Sequence, residues 1–233
     1  MQRYQTASSK EQEELDAILS MINNQVRRDI IKRLSQEPSY PLQLSKELGV
    51  GQQLIAKHLD ALEDAGIVAS SLEPSPNGPS RKEYALKKSI ALSFNFAPNL
   101  FSSKLIDLNT GDAEDLGVTK DTLALANRID KILRSPRDQN ETINLIGKVI
   151  SDVDRHLGEL EDEKVALLYI RNLAMSEAVK RIKKSEKSTD ARRVMYHILD
   201  TRSRNVSEIS ESVNLREDVV RKLLDDIAKG LRL

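Results

Sequence analysis

The strongest constraint on this chain is a pair of short amphipathic segments joined by a glycine-containing turn. The first segment, 42–48, stops at Gly49, and glycine most readily adopts the left-handed conformation that ends a helix. Only Val50 and Gly51 then precede the second segment, 52–65. The inward apolar residues of the two segments are Leu42, Leu44, Leu48, Ile55, Leu59 and Leu62. This arrangement predicts a helix-turn-helix unit.

Two further helices are predicted before this unit. The first covers about residues 11–21, with Ser8 or Ser9 as its cap, and the second begins near Asn24 and ends at the following prolines. Their inward residues are Leu15, Ile18, Leu19, Val26, Ile30, Ile31 and Leu34.

A β-hairpin, the wing, is predicted after these helices. Its first strand begins at Ile67, its second covers 81–86, and the sequence between them contains three prolines and Asn77-Gly78. Asn-Gly is a favoured hairpin turn, and proline cannot extend a strand ladder. The wing is assigned to residues 72–84, and alternating apolar and polar residues over 90–96 predict one further half-buried strand.

Residues 102–140 carry the weakest pattern and are assigned as a linker. A loop is predicted at 110–119 and a short amphipathic helix at 122–133, which ends before Pro136.

From residue 141 onward, apolar residues recur at alternating steps of three and four. One run contains Ile143, Ile146, Ile150, Val153, Leu157 and Leu160, and the next contains Val165, Leu168, Asn172, Met175, Val179 and Ile182. This spacing predicts a coiled-coil or bundle seam over 141–187, in which Asn172 would fix the register. The seam changes phase between Leu160 and Val165, so either one long helix is rotated there or the chain folds back as a hairpin. The acidic residues at that point form helices well, which favours the continuous helix.

Residues 191–227 repeat the apolar pattern of 26–62 at a constant offset of 165, without gaps. Asn214 stands where Gly49 stands, and asparagine also tolerates the left-handed conformation. The matched pairs include Leu34 and Leu199, Leu44 and Ile209, Ser45 and Ser210, and Ile55 and Val220. The repeat predicts a second helix-turn-helix-like bundle over 188–233, without a wing. The alternative is an ordinary three-helix unit in which packing alone produces the spacing.

The helix that would read DNA in the second copy opens with Arg216, Glu217 and Asp218. Carboxylates there suit the helix dipole but would face phosphates in a DNA groove. Arg221 and Lys222 partly offset them. Arg216, Arg221 and Lys222 are therefore candidates for a second DNA site or for a partner site, and the sequence leaves both open.

Composition excludes several classes of protein. The chain has no cysteine, which removes disulfides, thiolate metal sites and a cysteine nucleophile. Its three histidines lack metal-ligand spacing, so neither a metal nor another cofactor is expected. Nucleotide-binding, zinc-protease and serine-hydrolase motifs do not occur in it, and an enzyme is not expected. A polar N-terminus and the lack of a long apolar run predict a cytoplasmic protein without a membrane span. The formal net charge of zero does not argue against nucleic acid, because phosphate binding needs only a local basic surface.

The segments LSKELGVGQQLIAKHLDALEDAGI and GPSRKEYALKKSIALSFNFAPNLF resemble ArsR-type winged-helix regulators. More narrowly, residues 13–101 look like archaeal members related to the archaeal heat-shock repressor group. The resemblance implies a dimer with a helical C-terminal dimerisation region. Two features depart from that pattern: the chain lacks the thiols of the family's metal sensors, and it carries the second helix-turn-helix-like segment.

The outer face of the predicted reading helix carries residue types that can read base edges. It presents Gln52, Gln53, Ala56, Lys57 and Asp60. Glutamine can bond to adenine in two places, lysine can reach guanine or a phosphate, and alanine can touch a thymine methyl group. The same residues also suit a solvated helix face, which is the simpler interpretation for a helix taken alone.

The other candidates for DNA contact are Gly51, His58, Ser80, Arg81, Lys82 and Arg28. Gly51 leaves backbone N–H groups open to a phosphate, and His58 is either a core-edge residue or a phosphate contact. The wing residues would lie along the minor groove or its phosphates, and Arg28 would clamp the backbone.

The sequence thus predicts a mainly α protein with a small β wing. Its parts are a winged helix-turn-helix domain at 1–101, a linker at 102–140, long coiled-coil-like helices for dimerisation at 141–187 and a wingless bundle at 188–233. The predicted function is sequence-specific binding of double-stranded DNA by a homodimeric transcription regulator, with helix 52–65 in the major groove. The wing would contact the adjacent minor groove or the backbone. The alternative is a winged-helix module for protein–protein assembly.

Overall fold

A computed structural model describes residues 9–75, 78–108, 119–135, 138–185 and 188–231 of the chain. Contacts divide the chain into two units, one made mainly of Thr6–Phe94 and the other mainly of Gly111–Leu233. Within the described ranges the structure is mostly helical with two small two-stranded sheets, which confirms the predicted fold class. No helix in those ranges is long and apolar enough to cross a membrane.

The first unit contains four helices followed by a hairpin. In chain order these are α1 (Ser9–Ile22), α2 (Gln25–Leu34), α3 (Pro41–Leu48), α4 (Gln52–Asp64), β1 (Val68–Ser75) and β2 (Gly78–Leu86). Asn24 caps α2, because its side chain accepts a hydrogen bond of 3.1 Å from the Arg27 N–H. α3 ends at Gly49, which has a φ of 65° as the predicted turn requires. Ser9 is the first residue of α1, and Ser8 lies outside the described residues.

One apolar core holds α2, α3, α4 and the hairpin together. Its buried members are Ile30, Leu34, Leu44, Ile55, Leu59, Leu62, Ile67, Val68 and Tyr84. Each large aliphatic side chain fully removed from water contributes roughly 1.5–3 kcal/mol, so this cluster is the main source of stability in the unit. The predicted inward faces of the second helix and of the helix-turn-helix unit are confirmed at their central positions. The prediction is wrong for Leu42, which lies in the first turn of α3 and is 50% exposed.

The wing is fixed to the segment between α2 and α3 by a short bridge. The Ser39 N–H donates to the Tyr84 carbonyl and the Tyr84 N–H donates to the Ser39 carbonyl, both at 2.9 Å. β1 and β2 pair from Val68 with Leu86 to Ser75 with Gly78, which confirms the predicted hairpin. Residue 77 of the predicted Asn-Gly turn lies outside the described residues.

A second hairpin, which the sequence analysis missed in part, consists of β3 (Ile90–Ala97) and β4 (Leu100–Asp107). β3 confirms the predicted strand, but residues 102–107 of β4 lie where a linker was predicted. The apolar residues of β4 do not alternate with polar ones, so a period of two could not reveal the strand. Phe96 is 81% exposed and Phe101 is 74% exposed, so the predicted half-buried pattern is wrong at this end of the hairpin.

The second unit contains five helices in its described residues. They are α5 (Lys120–Arg134), α6 (Gln139–Ser185), α7 (Thr189–Thr201), α8 (Val206–Val213) and α9 (Glu217–Leu231). Thr119 caps α5 by accepting a hydrogen bond of 3.3 Å from the Thr122 N–H. The loop predicted at 110–119 lies outside the described residues up to 118, as does Pro136.

α6 is one continuous helix of 47 residues, which confirms the favoured alternative and rules out a hairpin at the phase change. α5 packs on its first half, where Val149 is buried and Arg128 pairs with Asp152 at 2.5 Å. The predicted first seam stays open at Ile143, Ile150 and Leu157, which are 59%, 55% and 58% exposed. In the second seam Ile182 is buried, and Leu168, Asn172, Met175 and Val179 are half-buried. The change of phase therefore marks a change in which face of α6 is covered.

The internal repeat is visible in the backbone of the second unit. α8 coincides with α3 when 165 is added to each residue number, and α9 begins where α4 begins on the same offset. Ser45 Oγ donates to the Val50 carbonyl at 2.7 Å, and Ser210 Oγ donates to the Leu215 carbonyl at 2.6 Å. Asn214 takes the left-handed conformation of Gly49, with a φ of 51°.

The offset fails in the first helix of the repeat. Leu199, the predicted counterpart of buried Leu34, is 42% exposed, whereas Val194 is fully buried. Val194 follows Ile30 at an offset of 164, so α7 presents its apolar face one residue earlier than a constant offset requires. The physical reason is that the segment joining the first two helices differs in length between the copies, and this segment sets the rotation of the first helix.

Candidate nucleic-acid interface

The start of α4 leaves backbone N–H groups open. Gly51 occupies the cap position without a side chain that could accept their hydrogen bonds. The intrahelical bonds begin with the Leu54 and Ile55 N–H groups, both of which donate to the Gly51 carbonyl at 3.0 Å. The N–H groups of Gln52 and Gln53 therefore point out of the helix end, where the positive end of the helix dipole also lies. This is a suitable place for a phosphate oxygen.

The outer face of α4 is polar and accessible, as predicted. Ile55, Leu59 and Leu62 are fully buried, which forces the intervening residues outward. The exposed residues are Gln52, Gln53, Lys57 and Asp60, and Ala56 is half-buried beside them. Leu54, which the sequence analysis did not single out, is 45% exposed at the same end of the helix. An exposed leucine among amides adds an apolar group that could meet a thymine methyl group.

His58 lies at the edge of the core rather than on the exposed face. Partial burial lowers the pKa of its imidazole, and the positive charges of Arg27 and Lys57 lower the pKa further. The imidazole is therefore held in its neutral form near neutral pH, which suits the core-edge interpretation better than an ionic phosphate contact.

Arg28 has partners within its own helix pair. Its guanidinium donates to the carbonyls of Ile22 and Asn23 at 2.7 and 3.0 Å, and to the Gln25 side chain at 2.5 Å. These bonds satisfy carbonyls at the C-terminal end of α1, which is a capping role. The predicted clamp on the DNA backbone would have to compete with this role.

The two basic residues of the wing point to opposite sides of the hairpin, because side chains alternate along a strand. Lys82 shares a side with buried Tyr84, and its Nζ lies 4.8 Å from the centre of that ring. The same Nζ is 2.9 Å from Glu63 Oε2 in α4. Tyr84 and Glu63 together raise the pKa of Lys82. Glu63 also accepts hydrogen bonds from the Ser70 hydroxyl and N–H. The bond from the Ser70 hydroxyl, followed by that from Lys82, lowers the pKa of Glu63.

Arg81 is the more available cation of the wing. It is exposed and lies across the hairpin from Glu73. No ion pair is recorded for it among the residues that the structure describes. Ser80 is also exposed beside it. Arg81 and Lys82 are equivalent candidates in the sequence, and the structure distinguishes them by the partners of Lys82.

In the second unit, acids occupy the positions that Gln52 and Gln53 hold in the first. Glu217 accepts a hydrogen bond from Ser207 at 2.8 Å and pairs with Arg221 at 3.4 Å. Arg216 lies 3.8 Å from Asp218, and Lys222 is exposed. Two of the three candidate cations are thus matched by carboxylates of α9. Over the described ranges, no group of three or more acidic or histidine side chains could hold a metal ion.

The geometry of the first unit defines a winged helix-turn-helix. Residues 24–70 match the family described as bacterial regulatory protein, arsR family. No curated protein matches the chain. Among solved structures, the chain is similar to a crystal structure assigned to the MarR family of transcriptional regulators from Enterococcus faecalis V583. That similarity has 24% sequence identity, covers 36% of this chain and 74% of the other, and has a TM-score of 0.31.

Proposed function

We propose that the protein is a transcription regulator that binds double-stranded DNA in a sequence-specific way. The observation that carries the proposal is the exposed face at the uncapped start of α4. Its amides and one ammonium group can reach base edges in the major groove, while the open N–H groups can bind a phosphate. The ArsR-type match over residues 24–70 supports a DNA-binding regulator. The narrower resemblance to the archaeal heat-shock repressor group stays a prediction.

The wing has a different role in the proposal from that of α4. Arg81 and Ser80 contact the backbone or the minor groove, where a cation contributes affinity without selecting a sequence. Lys82 holds the wing against α4 through Glu63. Arg28 and His58 contribute to the scaffold first, since their side chains are already engaged or partly buried.

The regulator is proposed to act as a homodimer. The support is apolar surface left open along α6, where Ile143, Ile150 and Leu157 recur every seven residues. Heptad apolar residues that remain exposed on a long helix are typically covered by another helix. The division into four parts is retained as a proposal, in which residues 102–107 of the linker belong to β4.

The proposal is tested by offering the purified full chain a pool of random DNA duplexes, and by sequencing the duplexes it retains. We expect retention with a steep salt dependence and one enriched motif. A Lys57→Ala variant should reduce the enrichment at one position of the motif, whereas Lys229→Ala, which removes an exposed lysine from α9, should leave the motif unchanged. Absence of retention at about 50 mM salt, where phosphate contacts are strong, would favour the protein–protein assembly module instead.

A further inference from the structure

One face of α6 combines acidic, apolar and basic residues in that order along the helix. Its members recur at heptad spacing, and all are exposed. They are Glu159, Asp162, Glu163, Ala166, Tyr169, Ile170, Leu173, Lys180, Lys183 and Lys184. Between Leu173 and the lysines the same face also carries half-buried Ser176, which accepts a hydrogen bond of 3.1 Å from Asn99, and exposed Glu177, whose charge is paired with Arg181. We call this set the α6 open face.

The centre of the α6 open face is strongly apolar. Tyr169 is 68% exposed, and Ile170 and Leu173 are each 59% exposed. The contacts of α7 fall on other positions of the helix, since Arg171 pairs with Asp200 and Ile182 is buried. A compact group of large apolar side chains on an exposed helix face is typical of an interaction surface.

The two ends of the α6 open face carry opposite charge. Asp162 and Glu163 lie at one end, and Lys180, Lys183 and Lys184 lie at the other. No ion pair is recorded for these five side chains within the part of the chain that the structure describes. The α-carbons of residues 163 and 180 are roughly 25 Å apart at the rise of an α-helix. The midpoint between them falls beside residues 171 and 172, next to the apolar centre.

We propose that the α6 open face pairs antiparallel with the same face of a second copy, about a two-fold axis beside residues 171 and 172. The inference rests on the homodimer of the proposed function and places its interface in the second half of α6, so that Ile143, Ile150 and Leu157 lie outside the paired segment. In this arrangement Ile170 faces Leu173 of the second copy, and the acidic end of each helix meets the basic end of the other. Opposite charges then attract at both ends of the paired helices, because a two-fold axis repeats every contact. A parallel arrangement would place acid against acid and lysine against lysine, which is unfavourable.

Cross-linking tests the direction of the pair, and the absence of native cysteine keeps the experiment clean. Two full-length variants are made, Glu163→Cys and Lys180→Cys, and each is oxidised alone and as a mixture. The antiparallel pair predicts a disulfide-linked dimer in the mixture and little in either variant alone, because identical positions lie roughly 25 Å apart. Efficient cross-linking of each variant alone, with none specific to the mixture, would overturn the proposal.

Charge reversal tests the complementarity of the ends. The variants Asp162→Lys/Glu163→Lys and Lys180→Glu/Lys183→Glu should each weaken the dimer about tenfold at low salt. The variant with all four changes should dimerise as the unchanged chain does, since the charges are again opposite. Failure of the fourfold variant to recover, with helix content unchanged by circular dichroism, would overturn the proposal.

DNA binding and the geometry of the dimer interface can be tested separately. DNA retention is measured in the same buffer with each variant. If the chain retains DNA but cross-links in the parallel pattern, the proposed regulator function stands and the proposed antiparallel pair is wrong. If light scattering shows a monomer at micromolar concentration, the proposed dimer is wrong. The DNA-binding proposal is then still tested by the retention experiment.

Discussion

Lys82 of the wing and Glu63 of the reading helix form an ion pair of 2.9 Å that joins strand β2 to α4. Glu63 is placed for this contact by Ser70, which donates to it from both its hydroxyl and its N–H. The orientation of the wing relative to α4 is thus set by side chains as well as by the hairpin itself. Several predictions of binding and stability depend on this arrangement.

Glu63→Gln should lower the stability of the full chain by roughly 1 kcal/mol, since the amide accepts weaker hydrogen bonds than the carboxylate. It should also raise DNA affinity at low salt, because a negative charge is lost and Lys82 is released. Urea unfolding and DNA titration measure the two effects. Asp64→Asn, an exposed neighbour on the same helix, removes the same charge and is the control. Equal changes in both variants would show that the contact has no special role.

Arg81→Ala and Lys82→Ala should differ in their effects. Arg81→Ala should weaken binding to all sequences alike and reduce the slope of log affinity against log salt by about one. Lys82→Ala should change that slope less and lower stability more, because Lys82 is engaged with Glu63. A salt titration of both variants, with urea unfolding alongside, gives the comparison. Identical slopes and identical stabilities would remove the distinction between them.

Gln53→Ala or Lys57→Ala should relax the preference for one base pair at a cost of roughly 1–3 kcal/mol in discrimination. The expected change is confined to specific DNA, since a lost base contact leaves the phosphate contacts in place. Competition between the selected motif and its single-base variants measures it. Loss of affinity that is uniform across sequences would instead make these side chains backbone contacts.

Gly49→Ala should destabilise the helix-turn-helix by about 1–2 kcal/mol, because a residue with a Cβ disfavours the left-handed conformation. The position is otherwise open, with nothing within 4 Å of an added Cβ, so the cost is that of the backbone. Gly49→Asn should be tolerated better, as asparagine occupies the same conformation at position 214. Thermal unfolding of the three chains decides it, and equal loss in both variants would contradict the explanation.

Acidification should destabilise the first unit through His58. The pKa of His58 is lowered in the folded chain, mainly by burial and then by Arg27 and Lys57, so the unfolded chain binds the proton more readily. The stability linked to neutral His58 is complete above about pH 6.5 and is lost as the pH falls through the lowered value. His58→Gln should therefore lose less stability between pH 7 and pH 5. An NMR titration that placed the His58 pKa at or above its usual value would contradict this prediction.

The helix-turn-helix could be predicted from sequence because its determinants are local. Gly49, the apolar spacing of 52–65 and the closing Gly66 each act within a few residues, and the structure places all of them as expected. The second copy was equally readable in α8 and α9. The apolar face of its first helix was misplaced by one residue, because the length of the segment between α7 and α8, rather than the apolar pattern, sets the rotation of α7.

The contacts that distinguish Lys82 from Arg81 could not be predicted in the same way. Glu63 and Lys82 are 19 residues apart, and neither belongs to a pattern that connects a helix with a later strand. Arg28 donates to the main-chain carbonyls of Ile22 and Asn23 at the end of α1. A sequence does not show which carbonyls at a helix end lack a hydrogen-bond partner. β4 was missed because its apolar residues follow no single period. Only the folded chain brings these groups together.

The shared turn of the two copies has a practical consequence for protein engineering. Ser45 with Val50 and Ser210 with Leu215 make the same hydrogen bond although their helices carry different outer residues. The two copies share the main-chain conformation of the turn, and this conformation tolerates different side chains on the exposed faces of the helices. Lys222 already stands where Lys57 stands in the first copy, so residues 217 and 218 are natural sites at which to introduce the amides of α4 and create a second sequence-reading helix.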